Sequence, residues 1–215
     1  LASQGCEYMI PGVFGFFQYC AANMETDHRY YGGSGLKAFA GRLIERYAEK
    51  YEELMIDALS IYPQFPAPLP FSGLKELSDR VIDRGVKMGE GWLLPAEMLE
   101  FMHHGVNNVL CLQPFGCLPN HVVGRGSFKT VRRLHEEANI MAIDYDPGSS
   151  EANQLNRIRL FMALAKERRE TQEAPQPAAS PVARTRPVAE RRAVARRTLS
   201  AAISLLPQLA GLLPG

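Results

Sequence analysis

Two short apolar runs constrain this chain more than any other feature: Asn108-Val109-Leu110-Cys111-Leu112 and Asn139-Ile140-Met141-Ala142-Ile143-Asp144-Tyr145. Both have strand length and carry almost no charge. Phe128 to Ala138, between them, has a helical pattern, and Ser149 or Ser150 is placed to cap a helix through Glu170. Apolar strands alternating with helices in β-α-β-α order read as a parallel sheet covered on both faces. The crossover is expected to be right-handed. The fold class is therefore α/β, a Rossmann-like or flavodoxin-like parallel sheet with helices on both faces.

Upstream, the pattern is more helical. Tyr8-Met9-Ile10 reads as a short strand stopped by Pro11-Gly12, and Val13 to Ala22 as an aromatic-rich helix. Leu36 to Ser60 reads as a long amphipathic helix, with Leu36, Phe39, Leu43, Tyr47, Leu54 and Leu59 recurring at helical spacing. Pro63, Pro66, Pro68 and Pro70 make an extended linker. Ser72 then caps a helix through Arg84, and Pro95 opens one that ends at His104.

The composition changes after Glu170. Residues 171–215 hold six prolines, six arginines, no lysine and no aromatic residue. Such a segment buries too little apolar area to offset its ordering entropy. It reads as a mostly disordered Pro/Ala/Arg-rich tail, with a short helix from Ala189 to Leu206, while residues 1–170 form the α/β body. A net charge of +1 lacks the basic stripe of a nucleic-acid binder. No apolar run is long enough to span a membrane. Four cysteines among 215 residues are too few for a disulfide scaffold and suit a reducing, cytoplasmic compartment. The chain opens on Leu1 rather than Met, and Gly5-Cys6-Glu7-Tyr8-Met9-Ile10-Pro11 reads as mid-domain, so the chain is expected to be the C-terminal piece of a longer polypeptide.

In open α/β sheets, ligands bind beyond the carboxyl ends of the strands. Two loops fall there: Gln113 to Gly126, and Asp144 to Ser150. Cys111 lies in the strand, where burial is the usual fate of a free cysteine. Cys117 follows Gly116 and precedes Leu118-Pro119, a tight loop of the kind that presents a thiolate to a metal cluster. It is expected within reach of His121 and Glu90. Spacing alone makes no metal site, since no CxxC pair exists. Gly124-Arg125-Gly126-Ser127 reads as a glycine turn opening a helix, a weak candidate for an anion, or a plain loop. A complete dinucleotide fingerprint fails at Lys129. Glu90, between Gly89 and Gly91, can approach a ligand closely. Trp92 reads as a packing anchor, and Asn153 lies in the first turn of the last helix, facing the same edge.

Taken together, Gly89-Glu90-Gly91-Trp92-Leu93-Leu94-Pro95, Gln113-Pro114-Phe115-Gly116-Cys117-Leu118-Pro119-Asn120-His121 and Ala142-Ile143-Asp144-Tyr145-Asp146-Pro147-Gly148 are familiar. They resemble the C-terminal region of acyl-CoA dehydratase activase-related proteins, in the 2-hydroxyacyl-CoA (2-hydroxyglutaryl-CoA type) dehydratase superfamily. The resemblance covers about Gly5 to Lys166. It implies an oxygen-sensitive system with [4Fe–4S] clusters held by cysteines, in which an upstream activase portion binds ATP and drives low-potential electrons into a dehydratase-like portion. On that basis Cys117 is the first choice as cluster ligand and Cys111 the second, in an incomplete ligand set. Glu90, His121, Gly124, Gly126 and Asn153 are weaker ligand-binding candidates. The implied partners are the upstream domains of the same polypeptide and an acyl-CoA, with no nucleic acid and no membrane span. Val86-Lys87-Met88 departs from the Gly-Asn-Gln pattern that family members commonly carry at this place. The other reading is a structural or assembly α/β domain without a cluster; a plain small-ligand-binding α/β domain is a third.

Overall fold

In a computed structural model, residues 1–2, 5–62 and 65–173 are described. The tail from 174 onward, with its expected disorder and short helix, lies outside the described residues. Among the described residues, six α-helices and two strands run in the order α1 (Val13–Tyr31), α2 (Gly35–Leu59), α3 (Phe71–Asp79), α4 (Leu93–His103), β1 (Asn108–Pro114), α5 (Phe128–Leu134), β2 (Asn139–Tyr145) and α6 (Glu151–Glu173).

The strands pair in parallel, with Asn108 opposite Asn139 and Pro114 opposite Tyr145. The β-α-β reading holds at this level. Among the described residues the sheet has only two strands. Val109 and Cys111 of β1 and Ile140 and Ala142 of β2 form one core with Met98, Leu99 and Met102 of α4 and Phe128 and Val131 of α5. Residues of β2 on the alternate face include fully buried Ile143, and Asn139 donates to the carbonyl of Phe161 in α6 (3.3 Å). So β2 is covered on both faces. β1 is not: Val109, Cys111 and Gln113 are buried, while Leu112 is 53% exposed.

A second core joins α1, α3 and α4. The Trp92 ring lies 5.0 Å from that of Tyr19 and 5.9 Å from that of Phe71, with Leu74, Leu93 and Ala96 around them. Trp92 is thus the packing anchor the sequence suggests. Helix α4 belongs to both cores: Leu93 and Ala96 face this one, and Met98, Leu99 and Met102 the sheet. Two buried carboxylates tie down the proline-rich linker. Glu100 accepts the Leu69 N–H (2.8 Å), and Glu52 accepts the Phe71 N–H at the start of α3 (2.9 Å).

Several boundaries differ from the sequence reading, each for a local reason. Tyr8, Met9 and Ile10 form no strand; among the described residues no strand pairs with them, and Tyr8 and Ile10 are exposed. Helix α1 continues past Ala22 to Tyr31, where Gly32 in the left-handed region stops it. Helix α3 is capped at Pro70 rather than Ser72 and ends at Asp79 rather than Arg84. The 128–138 helix closes at Leu134, because His135 is extended.

The largest difference concerns α2. Its helical stripe of large apolar residues does not face the core. The buried positions are Ala38, Gly41, Glu45, Ala48 and Glu52. Gly41 allows the close approach to α1: a Cβ there would sit 2.6 Å from the Ala21 carbonyl oxygen. Glu45 pairs with Lys75 of α3. The small and charged residues satisfy α1 and α3, and the stripe is left on the opposite side.

Candidate functional site

The carboxyl ends of β1 and β2 carry the expected loops. After β1, Gly116 turns in the left-handed region (φ 68°). The Cys117 N–H returns to the Pro114 carbonyl (3.1 Å), and the Cys117 carbonyl accepts the His121 N–H (3.1 Å). Cys117 is partly buried in this loop rather than in the core. Its sulfur accepts the Asn120 Nδ2–H at 3.1 Å, which fixes the orientation of the side chain. Asn120 was no candidate in the sequence. The signal for it is the three-residue spacing from Cys117 within one helical turn.

Cys111 has a different environment. Its sulfur is buried in the sheet core, and desolvation pushes its thiol pKa up despite the Gln113 amide (3.7 Å). The same Gln113 amide donates to the Asn120 carbonyl (3.0 Å). A bridge of Gln113 and Asn120 thus links the surroundings of the two thiols. Gln113 is fully buried, and its carbonyl oxygen has no hydrogen-bond partner among the described residues.

The 120–127 segment corrects the glycine-turn expectation. Asn120–Gly124 is a π-helical turn that runs through a 3₁₀ turn at Arg125–Ser127 directly into α5. Gly124 is helical (φ −56°, ψ −62°), and Gly126 has no positive φ. The N–H groups of Arg125 and Phe128 bond to the carbonyls of Asn120 and Arg125. They are committed to the helix rather than fanned toward an anion. Gly124 has a packing role: a Cβ there would meet the Cys111 sulfur at 3.4 Å. π-turns of this kind are common at functional sites.

The two glycine-flanked stretches that the sequence set apart do come together. A Cβ on Gly89 would fall 2.3 Å from Pro119 Cγ, so the 89–91 turn lies directly against the loop of Cys117 and His121. Glu90 is close enough to Glu97 and Tyr19 to raise both pKa values, as a secondary cause after desolvation. Glu97 is pushed up to about 8 and Tyr19 to about 12.

At the end of β2, Asp144 forms exposed-edge ion pairs with Arg125 (3.7 Å) and Arg157 of α6 (3.4 Å). Asp146, not Asp144, shapes the turn, its carboxylate accepting the Gly148 N–H (2.9 Å). Ser150 Oγ accepts the Asn153 N–H (3.2 Å), the N-cap expected for α6. Asn153 itself is exposed in the first helical turn.

Cys6 and Cys20 lie elsewhere. The Cys6 sulfur is 3.6 Å from that of Met162, beside a cavity of about 310 Å³ that includes Asn107 and Asn108 at the opposite edge of the sheet. Cys20 is exposed on α1. Among the described residues no group of three or more His, Cys, Asp or Glu side chains is gathered as a metal would require. A [4Fe–4S] cluster takes four protein ligands, usually thiolates. The described residues do not complete that set. None of the described helices is long and apolar enough to cross a membrane.

The chain matches no protein-family model, no curated protein and no solved structure.

Proposed function

We propose that the chain is a thiol-bearing module of an iron–sulfur protein of the acyl-CoA dehydratase activase-related kind, taking part in low-potential electron transfer or reductive activation. One observation carries the reading. Cys117 stands in a glycine turn beyond the carboxyl end of a parallel strand, partly buried, with the Asn120 amide directed at its sulfur (3.1 Å). In this reading Cys117 supplies a single ligand to a [4Fe–4S] cluster, and Asn120 holds the thiolate in one orientation. The other ligands come from outside the described residues, from dehydratase-like sequence of the same polypeptide. ATP acts on the upstream activase portion, an acyl-CoA is the candidate substrate class, and the compartment is cytoplasmic. A larger Rossmann-like sheet, completed by upstream strands beside the two described here, belongs to the same proposal. Glu90 and His121 flank the thiol loop as secondary ligand-binding groups.

A second reading is a structural or assembly α/β domain without a cluster. It is favoured by burial of Cys111, whose raised thiol pKa makes it a poor ligand.

Anaerobic iron and sulfide analysis decides between them. In the first reading, the full-length polypeptide, upstream portions included, binds iron on anaerobic reconstitution, and Cys117→Ser loses most of it with helix content unchanged, because a serine hydroxyl is a far poorer ligand than a thiolate. Cys111→Ala retains the iron and loses some thermal stability through a small cavity. Equal iron in wild type and Cys117→Ser removes Cys117 from the site. Absence of iron from every form assigns the chain to assembly.

A further inference from the structure

The outer face of the 25-residue α2 carries a stripe of exposed large apolar residues, interrupted by Lys50. Leu36 is 77%, Leu43 50% and Tyr47 62% exposed, with Phe39, Tyr51 and Leu54 in the same stripe. Where α1 runs beside it, Phe14 and Phe17 join Leu43, Ile44, Tyr47 and Tyr51 around an open groove of about 360 Å³. This stripe lies opposite the small and charged residues that α2 buries. At ~150–250 Å² per aromatic side chain, about half exposed, the face offers roughly 800 Å² or more of apolar surface. That is about what each partner contributes to a standard specific interface, and more than a monomer ordinarily leaves open.

The charges beside the stripe identify the occupant. Along one flank of α2 the exposed residues run Arg42, Arg46, Glu49, Glu53, basic and then acidic. If two α2 helices pack antiparallel about a two-fold axis between Tyr47 and Ala48, residue 46 of one meets residue 49 of the other, and 42 meets 53. In an antiparallel pair each flank faces its own counterpart, so every such contact joins opposite charges. A parallel pairing would set this flank against the opposite one, where Lys37 is the one charged residue beside Ala40, Ile44, Tyr51 and Met55, and would leave the four charges without partners. The pattern is self-complementary in one orientation only, as an isologous interface requires. Lys50 is exposed within the stripe; a lysine there can lay its methylene stem along apolar surface and keep its ammonium at the rim. Arg42 already touches Glu25 of α1 (3.6 Å, both exposed), a contact weak enough to be exchanged.

We propose that this face is the interface with a second copy of this chain, the two α1–α2 hairpins forming a four-helix bundle with their α2 helices antiparallel. The pairing is independent of any role for Cys117.

Sedimentation of the full 215-residue chain tests it. The expected species has twice the 23.9 kDa chain mass. Leu43→Glu sediments as a monomer with helix content unchanged. Charge reversal tests the register. Arg46→Glu weakens dimerisation at least several-fold, since it places two glutamates opposite each other twice. Adding Glu49→Arg restores it, because the pairs are then reversed in sign but intact. A monomer at ~100 µM wild-type protein overturns the proposal, as do open-ended assemblies. Failure of Glu49→Arg to rescue Arg46→Glu overturns the antiparallel register.

Discussion

Gly91→Ala is expected to be among the most damaging single-methyl additions in the chain, costing on the order of 3–5 kcal/mol. Two costs add. Gly91 has φ +41°, a conformation side chains rarely adopt. Its Cβ would also stand 2.3 Å from the Val86 carbonyl oxygen, 2.7 Å from Lys87 Cα and 2.7 Å from the Tyr19 hydroxyl. Two of those atoms are backbone and cannot swing aside. The third is held by its bond to the Lys87 carbonyl (2.6 Å). The 86–92 loop is closed by the Trp92 N–H to the Val86 carbonyl (2.8 Å), so yielding there pulls Trp92 from its place between Tyr19 and Phe71. Urea unfolding would show the loss as a lowered midpoint. Gly105→Ala serves as the control, since it has φ +80° but nothing within 4 Å of its Cβ. It should cost only the conformational part, ~1 kcal/mol. Equal losses at the two positions would show that crowding at Gly91 contributes nothing.

Part of this fold is legible in the sequence. Gly89-Glu90-Gly91-Trp92 is visible as a glycine-flanked connection between helices that ends in a packing anchor, because glycine and tryptophan each have a narrow physical use. The two strands were visible because uncharged runs of five to seven residues fit a buried parallel pair. What covers each face was not visible. The α2 stripe is legible as an amphipathic pattern, but helical periodicity reports that one side is apolar without saying what lies against it. Ala38, Gly41 and Ala48 hold the core side instead, through close approach rather than side-chain bulk. At the candidate site, the Gly116-Cys117 loop was placed correctly at the sheet edge. The contact of Asn120 with Cys117 is not announced by either residue type; it needs the helical turn that starts just after Cys117 to bring the third residue on back to the sulfur. Gly124 and Gly126 were read as a turn when they lie within a helix. Glycine permits a turn, but here Gly124 serves the approach to Cys111.

Glu97→Gln is expected to stabilise the protein at pH 8 and to leave it nearly unchanged at pH 4.5. Glu97 lies on α4, half-buried, where desolvation, with Glu100 and Glu90 nearby, raises its pKa to about 8. Its unfolded value is about 4.3. Below pH 4 both states hold the proton and the group contributes no difference. As pH rises, the unfolded chain loses its proton first while the folded one keeps it. Stability then falls by up to about 1.4 kcal/mol per pH unit, until the folded group also ionises near pH 8. Partial exposure of Glu97 reduces the total to on the order of 2–4 kcal/mol. Glutamine keeps the shape and the hydrogen-bonding capacity of the protonated acid but cannot ionise. Glu52 and Glu100, also raised mainly by desolvation, act in the same direction. His104, whose pKa is lowered by burial, acts oppositely, its contribution being lost as pH falls below its unfolded range. These groups are common to both proteins, so the difference between wild type and Glu97→Gln isolates position 97. Urea unfolding at pH 4.5, 6 and 8 measures it: the variant's advantage should grow at each step. An advantage independent of pH would mean that Glu97 is already ionised in the folded protein at pH 4.5.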